Sequence, residues 1–177
     1  AVGERLRQTC ILNGAADVQT VEHLLAAVRG SSIDNIEIEI DGPEVPGADG
    51  SAREFLALVS GAGLTDQGIG AASFRITEPV SVSDGDVSLV ALPFRDSGLR
   101  ITYTLSYSRN DTFFGSQHLS VDVDREFKEG IAPARTYCLE SEVERLRAQG
   151  LGKGANYSNT LVVGPNGVIQ NTLRFPD

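Results

Sequence analysis

Two stretches in the first third of the chain show helical periodicity. In "TVEHLLAAVRG", apolar side chains recur every three or four positions, which predicts a helix over residues 21–29. Thr20 is a favourable N-cap for this helix and Gly30 a favourable stop. A second helix is predicted to begin after Ser51 and to end at the glycines of residues 61–63. Each helix therefore has one apolar face to bury.

Strand patterns surround these helices. Residues 8–12, "QTCIL", indicate a short strand that is followed by the turn residues "NGAAD". Residues 33–41, "IDNIEIEID", alternate isoleucine with acidic residues at a period of two. That alternation predicts a strand with one face against a core and the other face in water.

After residue 73 the pattern becomes mainly one of strands. Polar turn sequences such as "SDGD" and "RDSG" separate four apolar runs, which predicts an antiparallel meander. The predicted strands span residues 74–84, 86–94, 99–107 and 117–124. Helices are predicted at residues 125–130 and 138–150, and a hairpin at residues 159–171 with "GPNG" at its turn.

The order of these elements predicts an α+β fold. We expect two similar two-layer α+β subdomains, each a small, mostly antiparallel sheet packed on helices. Residues 65–73, "TDQGIGAAS", are small, polar and glycine-rich, so we place the domain boundary within them. Residues 1–66 are then the C-terminal portion of the first subdomain and residues 67–177 the N-terminal portion of the second. We expect sequence to be missing at both ends.

Composition and charge narrow the class of function. The chain has 15 basic and 24 acidic residues, a net charge of −9, which argues against a nucleic-acid partner. No apolar run approaches the roughly 20 residues that span a bilayer, and no signal peptide opens the chain, so we expect no stable membrane insertion. The two distant cysteines, Cys10 and Cys138, are typical of reduced thiols. We therefore expect a cytoplasmic protein.

Glu22 and His23, adjacent at the start of the first predicted helix, are the candidate reactive groups. A glutamate in the first turn also complements the positive end of the helix dipole, and a single histidine can be an ordinary surface residue. The dipeptide is not the "HExxH" pair, and a zinc site needs three or four ligands. His118 alternates with apolar residues and is expected to be a strand residue. By itself the dipeptide leaves a metal role and a structural role open.

Two longer blocks resemble one enzyme family. They are "TVEHLLAAVRGSSIDNIEIEIDGPEVPGADGSAREF" at residues 20–55 and "ARTYCLESEVERLRAQGLGKGANYSNTLVV" at residues 134–163, followed by "LRFPD" at residues 173–177. In this order and spacing they resemble the UDP-3-O-acyl-N-acetylglucosamine deacetylases, zinc enzymes of lipid A synthesis in Gram-negative bacteria. The resemblance covers essentially the whole chain.

The resemblance implies roles for four residues. His23 corresponds to a zinc ligand, and Glu22 to the general base that takes a proton from the attacking water. Thr136, in "ARTY", corresponds to a hydroxyl that donates to the oxyanion of the tetrahedral intermediate. Asp49, in "GADGS", corresponds to a residue that supports the metal site from behind the ligands, with a turn role as the alternative. The implied cofactor is Zn²⁺.

The resemblance also implies a small-molecule substrate, a nucleotide sugar carrying an acyl chain. Tyr137 stands where the family usually has phenylalanine, at the wall of the substrate pocket. Leu139, Val143 and Asn156 match positions near the acyl-chain passage, with core packing as an equal alternative. The "GLGKGAN" segment has Ala155 where the family has glycine, which bears on substrate details.

The chain ends before the positions at which the family carries its other two zinc ligands and its catalytic histidine. We therefore expect that these 177 residues alone hold zinc weakly and are inactive. Two alternatives to a plain deacetylase are a fusion with a dehydratase of fatty-acid type and a non-catalytic relative kept as a binding module.

Overall fold

A computed structural model of the chain describes residues 1–3, 7–108, 110 and 112–175. Within them, short helices alternate with small sheets of two or three strands, and the predicted α+β class is confirmed. No helix in these ranges has the length and apolar character needed to cross a membrane.

The first sheet is an antiparallel arrangement of three strands. They are β1 (Val2–Gly3), β2 (Cys10–Asn13) and β3 (Ala16–Gln19), in the order β1-β2-β3. β2 confirms the predicted first strand, whereas β3 was not predicted, because "ADVQ" is too polar and too short to show an alternation. It forms because a tight turn at Gly14, whose φ is +59°, folds it directly back onto β2.

Two helices follow, α1 (Glu22–Gly30) and α2 (Arg53–Ala62), which pack against each other. Both are confirmed within about two residues of the predicted bounds. The predicted cap at Thr20 is wrong: its φ is +58°, and its hydroxyl lies 2.7 Å from the Glu44 carboxylate instead of capping α1. Ser51, the predicted cap of the second helix, is also not its N-cap: Ala52 occupies that position, and the Ser51 hydroxyl accepts the backbone N–H of Arg53, the first residue of α2, at 3.3 Å.

The predicted strand at residues 33–41 is wrong. Among the described residues, no strand pairs with it, and the three alternating isoleucines, Ile36, Ile38 and Ile40, are 38–47% exposed. The alternation gives the segment one apolar face, but a strand also needs a neighbouring strand to bond its backbone N–H and C=O groups. No described strand lies alongside to supply one.

The four strands of the middle section form two hairpins. They are β4 (Val80–Asp84) with β5 (Val87–Ala91) and β6 (Arg100–Ser106) with β7 (Ser116–Asp122). Each antiparallel pair is confirmed, but the continuous meander is wrong, since the two hairpins are separate two-stranded sheets. A two-residue turn closes β4–β5, and the longer segment of residues 107–115 joins β6 to β7. Joining β5 to β6 requires pairing that the "PFRDSG" connection does not impose.

Helical turns and a last sheet complete the described chain. α3 (Val123–Glu126) continues into a π-helical turn (Phe127–Ile131), which confirms the helix predicted nearby. The helix predicted from residue 138 is wrong at its start. Those residues form β8 (Tyr137–Leu139) and a 3₁₀ turn (Glu140–Glu142), and only α4 (Val143–Ala148) is α-helical.

The late start of that helix, at Val143, has a tertiary cause. β8 pairs in parallel with β9 (Leu161–Gly164), with Tyr137 opposite Leu161, and β9 pairs antiparallel with β10 (Gly167–Ile169). Pairing with β9 holds the β8 residues extended despite their helical periodicity. The β9–β10 hairpin, with its turn at "GPNG", is confirmed.

Two hydrophobic clusters hold these elements. The larger cluster joins α1, α2, the loop between them and the α3 region, so it crosses the predicted boundary near residue 66; it comprises Val21, Ala27, Val45, Ala52, Phe55, Leu56, Val123, Phe127 and Ala132. The smaller cluster lies on the last sheet and comprises Leu139, Leu161 and Val163, with aromatic side chains packed around them. The division into two subdomains stays a prediction.

Candidate active site

Glu22 and His23 occupy the first turn of α1. The preceding residue, Val21, is buried in the larger cluster, which fixes where this turn begins. The Glu22 carboxylate accepts the backbone N–H of Thr9 at 3.0 Å, and both Glu22 and His23 remain partly exposed. Adjacent helical residues point about 100° apart, so the imidazole and the carboxylate face different directions from one turn.

The described residues supply one good candidate ligand for a metal ion. His23 is partly exposed on a well-anchored turn, as a zinc-binding imidazole needs to be. Among the described residues, no group of three or more His, Cys, Asp or Glu side chains could hold a metal ion. The described residues thus fit one ligand position of a zinc site but do not form a complete site.

Asp49 lies in the loop before α2, and its carboxylate is fully engaged. One oxygen accepts the Ser51 backbone N–H at 3.1 Å and the Ser51 hydroxyl at 2.7 Å. The other accepts Nη2 of Arg53 at 2.9 Å and Nη2 of Arg174 at 2.6 Å. Burial raises the pKa of Asp49, but the hydrogen bonds from Ser51 and Arg174 outweigh it and lower that pKa to about 2. Asp49 is therefore a permanent anion that organises its loop.

Thr136 is held through its backbone. Its N–H donates to the Gly50 carbonyl at 2.7 Å, and its carbonyl accepts the Leu161 N–H at 3.0 Å. The side chain is exposed, and no hydrogen bond among the described residues uses its hydroxyl. An anchored backbone with an open hydroxyl suits a residue that donates to a substrate.

Gly50 makes the approach to Thr136 possible. Its φ is +80°, and a Cβ at this position would lie 1.7 Å from the Asn159 carbonyl oxygen. Only glycine fits both the backbone angle and the space. The "DGS" sequence thus brings the Asp49 loop against Asn159 and against Thr136, the residue before β8.

Tyr137 and Leu139 face the smaller cluster. The Tyr137 hydroxyl lies 3.1 Å from that of Tyr107, and the two rings meet edge to face at 6.4 Å. Burial and then this hydrogen bond raise the pKa of Tyr137 above its ordinary value. Leu139 is buried in the cluster itself, and Val143 is partly buried at the start of α4.

Asn156 lies apart from these residues, in an exposed loop. Its backbone N–H donates to Oδ1 of Asn159 at 2.8 Å, and its own Oδ1 accepts the Ser158 N–H at 2.9 Å. These contacts describe a turn. The substrate roles of Tyr137, Leu139, Val143 and Asn156 stay predictions.

Two arginines that the sequence analysis did not single out link the parts of this site. Arg174 bonds the Asp49 loop across more than 120 residues of sequence, and Arg135 bonds residues 171 and 172. Both lie inside the quoted blocks, beside Thr136 and in "LRFPD". The only feature of the sequence that could have drawn attention to them is their position in the segments that resemble the family. Their charge does not reveal a partner so distant in sequence.

Residues 1–177 match the family model of the UDP-3-O-acyl N-acetylglycosamine deacetylases. The chain belongs to this family. The curated UDP-3-O-acyl-N-acetylglucosamine deacetylase of Nostoc sp. is 38% identical over 180 residues, which cover 98% of this chain and 63% of that protein. The relative from Chlamydia pneumoniae is 38% identical over 97% of this chain and 60% of its own length. That from Nitratidesulfovibrio vulgaris is 41% identical over 97% and 54%.

The chain thus spans a little more than half the length of the curated deacetylases it matches. Within that span, direct contacts join the Asp49 loop, Thr136 and Arg174. The first turn of α1 is connected to them through the larger cluster, which contains Val21, Ala52 and Ala132.

Proposed function

We propose that the protein containing this chain hydrolyses the acetamide of UDP-3-O-acyl-N-acetylglucosamine in lipid A biosynthesis, with zinc as its cofactor. The observation that carries the proposal is the adjacent pair of Glu22 and His23 on the anchored first turn of α1, with the open hydroxyl of Thr136, whose backbone is anchored just before β8. Family membership supports the reaction class. The free thiols of Cys10 and Cys138 support a cytoplasmic location.

In this proposal each side chain has one task. Bound zinc, with His23 among its ligands, supplies Lewis acidity toward the amide carbonyl and water. Glu22 accepts a proton from the attacking water, a C–O bond forms, and the C–N bond breaks as the sugar amine takes up a proton. Thr136 donates to the oxyanion that develops between these steps. The products are acetate and the free amine of the sugar.

The Thr9 N–H bond to Glu22 supports the base assignment. It holds one carboxylate oxygen, and within the described part of the chain the other oxygen accepts no hydrogen bond, so the carboxylate is oriented and can still take up a proton. A glutamine at this position keeps an acceptor for Thr9 but cannot take a proton. Glu22→Gln therefore separates the proton-transfer role from the structural one.

The test is made in the full-length protein with purified UDP-3-O-acyl-N-acetylglucosamine. Glu22→Gln is expected to lower kcat by about 10²- to 10⁴-fold while bound zinc is retained. His23→Ala is expected to lose both zinc and turnover, measured by metal analysis and acetate release. His118→Ala is the matched control, because the other histidine lies on the exposed β6–β7 hairpin, 2.9 Å from the Thr104 hydroxyl.

Retained zinc and turnover in His23→Ala would contradict the ligand assignment. A wild-type protein that binds the substrate without releasing acetate would instead indicate a non-catalytic binding module.

A further inference from the structure

Arg174 connects its own segment to two others that are distant in sequence, the Asp49–Ser51 loop and Pro133. Its Nη2 donates to the Asp49 carboxylate at 2.6 Å, while Nη1 donates to the Pro133 carbonyl at 2.8 Å and to the Ser51 hydroxyl at 3.2 Å. Ser51 is fully buried, and the Arg174 and Asp49 side chains are only 24% and 13% exposed. These charge-assisted bonds are therefore largely shielded from water.

Arg135 makes the reciprocal connection. It lies next to Thr136, and its guanidinium donates to the Asn171 side chain at 3.2 Å and to the Thr172 carbonyl. Each arginine thus anchors the segment from which the other projects. Burial, and then the positive charge of Arg174, lower the pKa of Arg135, which agrees with two guanidinium groups held close together.

Both connections converge on Thr136. Pro133, an acceptor for Arg174, is three residues before it. Gly50, whose carbonyl accepts the Thr136 N–H, lies between Asp49 and Ser51, the other two acceptors of Arg174. The Thr136 backbone is therefore held from both sides by groups that one guanidinium binds.

We propose that Arg174 is a positioning residue that sets the location of the Thr136 hydroxyl by holding the Asp49–Ser51 loop and the Pro133 carbonyl together. This inference rests on the role given to Thr136 in the proposed function. Arg174 does not touch the substrate in this proposal and acts only through Thr136.

The geometry requires arginine. Three acceptors in different directions match a planar fork of N–H donors, whereas a lysine ammonium on a flexible chain reaches them less completely. Arg174→Lys should therefore retain the charge but loosen the loop, with a smaller effect than Arg174→Gln.

The kinetic test uses the full-length zinc protein. Arg174→Gln is expected to lower kcat about 10- to 100-fold with KM nearly unchanged, because Thr136 acts on the oxyanion and not on ground-state binding. In a Thr136→Val background the same substitution is expected to change kcat less than about 2-fold, because its target is already gone. Full additivity of the two substitutions overturns the inference.

Arg53→Gln is the matched control. The Arg53 guanidinium bonds the same oxygen of Asp49 at 2.9 Å, but its side chain is 54% exposed. Only the Arg53 backbone N–H reaches Ser51 Oγ, and that bond does not depend on the side chain. We expect its kcat to stay within about 2-fold of the wild type. A loss equal to that of Arg174→Gln would show that any neutralisation beside Asp49 suffices, which contradicts the positioning role.

Backbone amide exchange gives a readout independent of turnover. The Thr136 amide is expected to exchange at least about 10-fold faster in Arg174→Gln, and at the wild-type rate in Arg53→Gln. If Arg174→Gln does not fold, Arg174→Lys replaces it, and wild-type kcat with unchanged Thr136 exchange in that variant overturns the inference. If the wild-type protein has no deacetylase activity, the proposed function is wrong. The inference is then still tested, because amide exchange shows whether Arg174 holds the Thr136 backbone.

Discussion

The Asp49 loop and the β4–β5 hairpin both turn at a glycine with positive φ, but their surroundings differ. Gly50 presses against the Asn159 carbonyl, and the loop is bonded by Arg174 from 125 residues away. Gly85, at φ +54°, has no described atom within 4 Å of where a Cβ would stand, and within the described ranges its two strands pair only with each other. The first turn depends on distant parts of the chain, and the second depends on its own strands.

The same contrast separates apolar side chains of equal size. Leu161 on β9 is 8% exposed within the smaller cluster, whereas Leu89 on β5 is 63% exposed. Both belong to runs that the apolar pattern predicted as strands. In these two runs the pattern correctly predicted a paired strand, but which residues become buried depends on what the rest of the chain places over them.

The sharpest way to break this comparison is to add a methyl group at each turn. Gly50→Ala is expected to lower the free energy of unfolding by about 4 kcal/mol, from backbone strain plus a clash with the Asn159 carbonyl. Gly85→Ala is expected to cost only about 1 kcal/mol, the strain of positive φ alone. Urea unfolding of the two variants measures the difference, and equal costs would contradict the close packing at Gly50.

Truncating the two leucines tests the contrast in burial. Leu161→Ala is expected to destabilise the protein by about 3 kcal/mol through lost burial and a cavity. Leu89→Ala is expected to change stability by less than about 0.5 kcal/mol, because the side chain is already in water. The measurement is again the free energy of unfolding. A loss above about 2 kcal/mol in Leu89→Ala would show that another surface covers the β4–β5 hairpin.

The smallest expected loss of stability comes from neutralising an aspartate in a largely buried ion pair, compared with one in an exposed ion pair. Asp49→Asn is expected to cost about 2 kcal/mol at neutral pH, which corresponds to the fall of the Asp49 pKa from 3.8 to about 2. Since the folded pKa is the lower one, this stabilisation is complete above about pH 4 and is lost as the pH falls through about 2. The difference between wild type and variant, followed by unfolding at several pH values, should vanish there.

The control for this last prediction is Asp124→Asn. Asp124 bonds Arg29 at 3.0 Å, but the arginine side chain is 52% exposed, so we expect a cost below about 1 kcal/mol. An equal loss in both variants would mean that burial does not distinguish the Asp49 pair.

Much of the local structure could be predicted from the sequence because its causes lie within a few residues. The apolar periodicity of α1 and α2 and the turn sequences of the β4–β5 and β9–β10 hairpins each act over a short stretch of chain. Family membership was also predictable, since Glu22, His23 and Thr136 stand in blocks whose order and spacing resemble those of the deacetylases.

Other features were decided only by tertiary contacts. Residues 137–139 became a strand because β9 pairs with them, residues 33–41 found no described partner strand, and Thr20 turned to Glu44 instead of capping α1. The bond from Arg174 to Asp49 has no local trace, because its two groups are 125 residues apart. Periodicity reports which side of a segment is apolar, whereas hydrogen bonds and burial depend on which distant segment the fold brings beside it.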